Sequence, residues 1–438
     1  MTDLLFYARA VHFAAAISAA GVVFFAVFIA EPAFRKAPNG ARMIASLRSR
    51  LAWIAWISLA LALFSGAGWL FLTAASMSGQ PATEVLAQGV LWIVVAQTDF
   101  GNDWVGRFVL ACLLAAAFVP FFSSTGAKSL WLKAAAVTLA AALVGSLAFA
   151  GHAIGGEGIE GVVHPMADVL HLIAASAWVG TLAPLALLLA MPEQDAAALA
   201  VARSATPRFS ALGLASVATL LFTGLVNSWY LVGSIDALTG SEYGRLLLIK
   251  LALFVLMVGI AAYNWSQLTP RLTRNADLPS AWKARRQLRR NAAIEASAGA
   301  IIIGIVAVLG TLPPASHAHH HDIEEVIPPD ASFQHIHSER GMADVLIEPG
   351  RVGVGRVTVH LLDDNLETLQ AREVTVSLTA PSGASKPVTR VALQGPGGEW
   401  HVDAVALSEP GNWTVTVDAV LGSGRRLQLT APIVIDRK

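Results

Sequence analysis

The sequence predicts an all-α polytopic membrane bundle of eight transmembrane helices, followed by an all-β, immunoglobulin-like sandwich outside the membrane. Three observations carry this reading. Of 438 residues, 55% are hydrophobic and only 14% charged, where soluble domains carry about a quarter. Eight stretches are long and apolar enough to cross ~30 Å of hydrocarbon, which takes about 20 residues. After Pro313 the pattern changes to the period-two alternation of strands.

The spans are predicted at 5–30, 51–75, 105–122, 130–150, 168–190, 209–232, 246–265 and 292–312. Each closes at polar, Pro or Gly residues, such as Glu31-Pro32 after the first and Pro313-Pro314 after the last. The first has no basic leading flank and too long an apolar run for a secretory leader, so it is read as a retained span. Orientation follows from the basic residues, which favour cytoplasmic loops. Segments 31–50, 123–133, 191–208 and 267–290 hold 16 of the 20 Lys and Arg residues before Pro313, and the opposite connections 76–104 and 151–167 hold none. Both termini are therefore expected outside the cytoplasm.

Thirty basic residues balance thirty acidic ones, hiding a split of +6 before Pro313 and −6 from there on. No basic excess attracts nucleic acid. The one cysteine, Cys112, excludes a disulfide framework and any Cys-based zinc or iron–sulfur site. With no phosphate-binding G-x-x-x-x-G-K-[ST] loop, H-E-x-x-H helix or G-x-S-x-G turn, the chain is read as neither an ATP-driven pump nor an enzyme.

In the tail, Val354–Leu361, Glu373–Thr379, Trp400–Leu407, Trp413–Val420 and Leu427–Ile435 read as strands between Gly, Pro, Asn and Ser turns. Around seven strands in about 100 residues suit an antiparallel sandwich. The domains expected are the bundle at 1–312, a His- and Pro-rich linker at 313–332 and the sandwich at 333–438. The tail is small and loop-poor, which suits binding or docking.

The twelve histidines are the most informative feature. None is predicted on the cytoplasmic face. His12 lies about two turns into span 1, His152 closes span 4, His164 is in the outer loop, and His171 is in the first turn of span 5; the other eight are in the tail. Imidazole is the commonest metal ligand, so an outer face rich in it points to metal handling. His12 and His171 carry most weight, because ionisable groups within apolar helices are costly and face a partner. Each is either a ligand or a hydrogen-bonding core residue. His164 and His171 are two turns apart, as are His171 and Trp178. Asp168, one turn before His171, is placed to accept its second ring N–H. In the tail His335 and His337 alternate, so on a strand both face one side; with Met342 nearby, imidazole and thioether together suit copper in either oxidation state. The run from His317 to His321 is a metal-binding tract or a flexible linker. Of the other polar residues in the spans, Arg9 and Arg107 are expected to snorkel to the headgroups, Asn227 and Asn264 to bond between helices, and Cys112 to be a small buried apolar residue. No ligand is evident in the inner half of the spans.

Several motifs together resemble the copper resistance D (CopD/PcoD) membrane family. They are Gln97-Thr-Asp-Phe-Gly-Asn-Asp-Trp104 with Arg107, His171-Leu-Ile-Ala-Ala-Ser-Ala-Trp-Val-Gly180, Thr223-Gly-Leu-Val-Asn227, Tyr243-Gly-Arg-Leu-Leu-Leu-Ile-Lys250 and Ala262-Tyr-Asn264. His335-Ile-His337, Met342-Ala-Asp344 and Pro349-Gly-Arg-Val-Gly353 resemble the YtkA-like domain often fused behind it. The resemblance implies an eight-helix inner-membrane protein that moves copper from periplasm to cytoplasm or confers copper tolerance. It also implies a periplasmic copper carrier of the CopC type as partner, which some relatives carry fused at the N-terminus.

The expected cargo is therefore copper, Cu(I) or Cu(II), with His12, His152, His164, His171, His335, His337 and Met342 as candidate ligands. The alternatives are haem b held by His12, His152 and His171 for electron transfer or oxidase assembly, and a non-catalytic scaffold for assembling or sensing a copper enzyme.

Overall fold

The computed structural model describes residues 2–37, 40–78, 82–87, 89–123, 129–150, 160–192, 196–232, 235–274, 278–312, 328, 330–338, 341–362, 368–381, 387–395, 398–422 and 425–437. The chain divides into two compact units, Met1–Ser316 and His317–Lys438.

Among its described residues, the first unit contains eight helices long and apolar enough to span a membrane. In chain order spans 1 to 8 are Leu4–Phe34, Ala41–Ser76, Phe100–Phe121, Leu130–Phe149, Val162–Leu189, Ala196–Trp229, Glu242–Thr273 and Leu278–Leu309. They match the eight predicted and run longer at most ends, because basic residues such as Arg48, Arg203 and Arg285 continue the helices past the apolar core. Those residues also tie the basic end together. Arg48 makes a two-pronged pair with Glu31 at 2.9 and 2.8 Å, Arg203 donates to the Leu272 carbonyl, and Arg285 donates to the carbonyls of Leu189 and Met191. Such bonds satisfy helix-end carbonyls that have no partner within their own helix.

Spans 1 and 5 form the centre. Span 1 packs along span 2, span 5 along span 6, and the two central helices pack on each other. They meet at Gly21 and Gly180: a methyl group built on Gly21 would stand 2.2 Å from the Gly180 carbonyl carbon, and one on Gly180 would stand 2.9 Å from Gly21 Cα. In lipid, helices associate through close packing of such small residues. Phe25, Ile29, Leu59, Leu114, Leu143, Trp178, Leu182 and Leu188 fill the buried core around this crossing.

The described residues of the second unit form a two-sheet antiparallel sandwich of nine strands. They are β1 Ser332–Ser338, β2 Gly341–Glu348, β3 Gly353–Leu362, β4 Ala371–Thr379, β5 Val388–Val391, β6 Leu393–Gln394, β7 Trp400–Leu407, β8 Gly411–Leu421 and β9 Arg426–Ile435. One sheet runs β1-β2-β3-β7-β6 and the other β5-β4-β8-β9. Alternate residues such as Val345, Ile347, Val357, Val359, Val374, Val376, Val415 and Val417 fill the core between them. All five predicted strands are present; β5 and β6 are too short for their alternation to register.

The crossing yields a prediction. Gly180→Leu forces a side chain into the backbone of span 1. It should lower the thermal midpoint of the purified protein, corresponding to about 1–3 kcal/mol or more, by fluorescence-detected unfolding in detergent. Gly68→Ala, where an added methyl group meets nothing within 4 Å, should leave the midpoint unchanged or raised.

Candidate functional site

Span 5 presents His164, Asp168 and His171 at spacings of four and three residues, which puts them on one helical face. Asp168 Oδ2 lies 3.9 Å from His164 Nε2. The same carboxylate accepts a hydrogen bond from the Asn227 amide of span 6, so Asn227 does bond between helices as expected. Lys250 of span 7 lies within electrostatic reach of both Asp168 and His171. Two imidazoles, one carboxylate and one ammonium thus gather near one end of spans 5, 6 and 7.

The orientation of His171 is set by span 6. Its Nδ1 is 2.9 Å from Thr223 Oγ1, and the single hydroxyl proton of Thr223 is donated to the Thr219 carbonyl at 2.7 Å. Thr223 therefore accepts the Nδ1–H, and Nε2 of the neutral ring carries the free lone pair that a metal requires. Thr223, and not Asp168, holds the second ring N–H. At three residues before His171 the carboxylate is taken by Asn227 and His164 instead.

His12 is oriented in the same way by a different helix. Its Nδ1 is 2.8 Å from the Ala62 carbonyl of span 2, an acceptor only, so Nδ1 carries the proton. The ring is 6% exposed, stands edge-on to Trp69 at 5.6 Å between centroids, and leaves Nε2 buried without a hydrogen-bond partner among the described residues. Each ring thus packs onto the second helix of its own half of the bundle. Among the described residues, no group of three or more His, Cys, Asp or Glu side chains is placed to hold one ion. His152 and the His317–His321 run lie outside the described residues.

Three further expectations are corrected. Arg9 and Arg107 do not snorkel: they are 9% and 3% exposed, because backbone acceptors and an aromatic face are available inside. Arg9 donates to the Gly310 carbonyl at 2.8 Å, Arg107 donates twice to the Ser146 carbonyl, and both guanidinium carbons lie within 6 Å of the Trp69 ring centre, at 5.1 and 5.7 Å. Cys112 is not buried but exposed on the bundle surface. The inner half of the spans is not devoid of ligand-type groups. Glu295 of span 8 accepts from Asn264 at 2.9 Å, and Asn291 donates to Asn264 at 2.6 Å. Glu295 is buried. A carboxylate in an apolar run five residues past Arg290 was the available signal.

In the sandwich, β1 and β2 pair so that His335 stands opposite Asp344 and His337 opposite Met342. His335 Nδ1 is 2.6 Å from Asp344 Oδ1. The next register places His360 of β3 beside Asp344, so His335, Asp344 and His360 form a row across three strands, a few ångströms per strand. Met342 is 3% exposed; the His337 side chain lies outside the described residues. Asp344 and His360 were missed from sequence because their neighbourhood depends on strand register, which spacing along the chain does not disclose.

The sequence model for a copper resistance protein D-like N-terminal domain matches residues 1–162, and that for copper resistance protein D matches residues 203–309. Copper resistance protein D of Pseudomonas syringae pv. tomato is 33% identical over 228 residues, 52% of this chain and 72% of that protein. The chain belongs to the copper resistance protein D family. Within it, the inner membrane protein YebZ of Escherichia coli is 30% identical over 238 residues, 54% of this chain and 77% of its own length. The copper transport protein CutJ of Bacillus subtilis is 28% identical over 342 residues, 76% of this chain, which spans 58% of CutJ. This copper resistance protein D homologue is thus a multi-span membrane protein joined to a β-sandwich.

The Asp168–Asn227 link is testable by a double-mutant cycle. Asn227→Leu strips a half-buried carboxylate of a donor and should destabilise the protein by about 1–3 kcal/mol. In the Asp168→Leu background the same change should cost much less, a coupling of roughly 0.5–3 kcal/mol measured by thermal or chemical unfolding in detergent.

Proposed function

We propose that this protein takes copper from the periplasmic side of a bacterial inner membrane, for import or tolerance, and that the span 5–6 cluster receives the ion. The reading rests on one observation above the others: His171 is held by Thr223 with Nε2 left for a ligand, on the helical face that also carries Asp168 one turn away and His164 two turns away, in a chain of a copper resistance family. A preset tautomer removes the reorientation that a freely turning ring needs before it binds.

The periplasmic placement follows from the basic connections, which favour the cytoplasm and leave the His171 end of the bundle outside. The row of His335, Asp344 and His360, with Met342 and His337 paired beside it, offers the sandwich a copper-accepting face of its own. Imidazole, carboxylate and thioether span the preferences of Cu(II) and Cu(I). A CopC-type carrier is the natural donor to either site, since both open toward the compartment such a carrier occupies. The protein's role is to bind and pass on the ion, without chemistry on an organic substrate. Of the expected membrane ligands, His12 feels the guanidinium of Arg107 and lies one turn past Arg9, and the ion is assigned to the His171 side.

Equilibrium dialysis of the purified full chain against buffered Cu(I) and Cu(II) tests the assignment. His171→Ala should abolish the membrane site, and Thr223→Val, which removes the acceptor and keeps the shape, should weaken it about 10- to 100-fold. Proteoliposomes should take up isotopic copper above the level of empty vesicles. Unchanged affinity in both variants would sink the assignment to this cluster.

A further inference from the structure

The two halves of the bundle repeat one another. Span 1 carries His12 nine residues before Gly21, and span 5 carries His171 nine residues before Gly180; these are the two glycines in contact at the crossing. Span 2 carries Phe64-Ser65-Gly66 and span 6 carries Phe222-Thr223-Gly224. A methyl group at Gly66 would stand 3.0 Å from His12 Cε1, and one at Gly224 would stand 3.8 Å from His171 Cε1. Span 3 begins Thr98-Asp-Phe-Gly101 and span 7 begins Ser241-Glu-Tyr-Gly244. Each opening hydroxyl caps its helix by accepting the N–H of that glycine, at 3.0 and 2.9 Å. Six residues past the glycine come Arg107 in one case and Lys250 in the other. Sequence order, helix caps and imidazole packing all agree, so the two histidines occupy equivalent positions.

The equivalent sites have opposite chemistry. Three residues before the histidine, the second half has Asp168 and the first has Arg9. The His171 site balances Asp168 against Lys250. The His12 site has two cations, Arg9 and Arg107, against Asp103, one turn before Arg107 on span 3. Three of its buried atoms find no hydrogen-bond partner among the described residues: Arg9 Nε, Arg107 Nη1 and His12 Nε2. Buried guanidinium N–H groups without acceptors are costly, and here they belong to two side chains beside one tryptophan.

We infer that the His12 half-site binds a phosphate-type oxyanion between Arg9 and Arg107. Forked guanidinium donors match tetrahedral oxyanions, and the site's excess positive charge repels a bare metal cation. The bare His12 Nε2 is an acceptor for the one acidic proton of hydrogen phosphate. A phospholipid phosphodiester shares the oxyanion chemistry and lacks that proton. This inference stands apart from the copper assignment, which concerns the other half.

The test uses the full chain purified in maltoside detergent and phosphate-free buffer. One arm titrates inorganic phosphate calorimetrically; the other weighs retained phospholipid by native mass spectrometry. Saturable binding of one equivalent in either arm is expected, the first arm identifying a free anion and the second a lipid. Arg9→Gln and Arg107→Gln should each weaken it at least tenfold. Arg107→Lys, which keeps the charge and loses the fork, guards against misfolding of the neutral variants and should still weaken it several-fold. Lys250→Gln should leave it unchanged. Neither ligand bound by the parent protein, or equal binding in all the arginine variants, would overturn the inference. Copper dialysis on the Arg9 and Arg107 variants should match the parent, which separates this outcome from the fate of the copper site.

Discussion

The contact of Gly21 with Gly180 is the constraint on which the arrangement depends. No hydrophobic force drives helices together in lipid, so their association rests on packing, and backbones pack only where side chains are absent. This contact brings spans 1 and 5 close enough for spans 2 and 6 to flank them. A helix rises ~1.5 Å per residue, so both histidines, nine residues from their glycines, stand about 13 Å from the crossing at the same depth. Each ring turns away from the central pair and onto its own flanking helix, His12 onto Ala62 and Gly66, His171 onto Thr223 and Gly224. One interface thereby sets the height of both rings and keeps them on separate partners.

A scaffold used twice makes charge the variable. Within the bundle the effective dielectric is low, so one nearby carboxylate or guanidinium decides which ligands are admitted. Asp168 beside His171 and Arg9 beside His12 sit at equivalent positions with opposite sign. Exchanging them would be expected to alter selectivity more than any change to the imidazoles, whose tautomers are already set by their neighbours.

The eight spans, the basic end and the strands of the tail were legible because apolar length, positive charge and period-two alternation are properties of the chain itself. The imidazoles were legible as candidates for the same reason: a histidine in an apolar helix costs free energy wherever it points. Their partners were not. Thr223 orients His171 from 52 residues away, and Ala62 holds His12 through a backbone carbonyl, which no residue type announces. Arg9 and Arg107 look from sequence like headgroup anchors, since nothing local shows that Trp69 and two helix-end carbonyls wait inside. In the sandwich, His335 and His337 were visible as an alternating pair, while His360 joins them only through the β2–β3 register.

Depth along span 5 defines what movement of an ion would require. Below His171 on the same face, two turns on, comes Trp178, 1% exposed and edge-on to Phe254 at 6.0 Å. One residue further, Val179 packs on Gly299 of span 8, and Glu295 lies one turn beyond that, toward the basic end. The polar groups therefore stand in two sets, His164–Asp168–His171 above and Glu295–Asn264–Asn291 below, with closely packed aromatic and aliphatic side chains at the depth between them. Among the described residues, the ligand-type groups near that layer are the buried thioether of Met257, one turn past Phe254 on span 7, and the buried hydroxyls of Ser176 and Thr181, and shedding ligands into hydrocarbon is prohibitive. Passage of an ion from one set to the other would need these weaker groups to be reached, with the Trp178 ring displaced from this layer. Because Gly21 and Gly180 hold spans 1 and 5 together, that motion is most economically placed in spans 6 and 7, which carry Gly213 and Phe254 against the Trp178 ring.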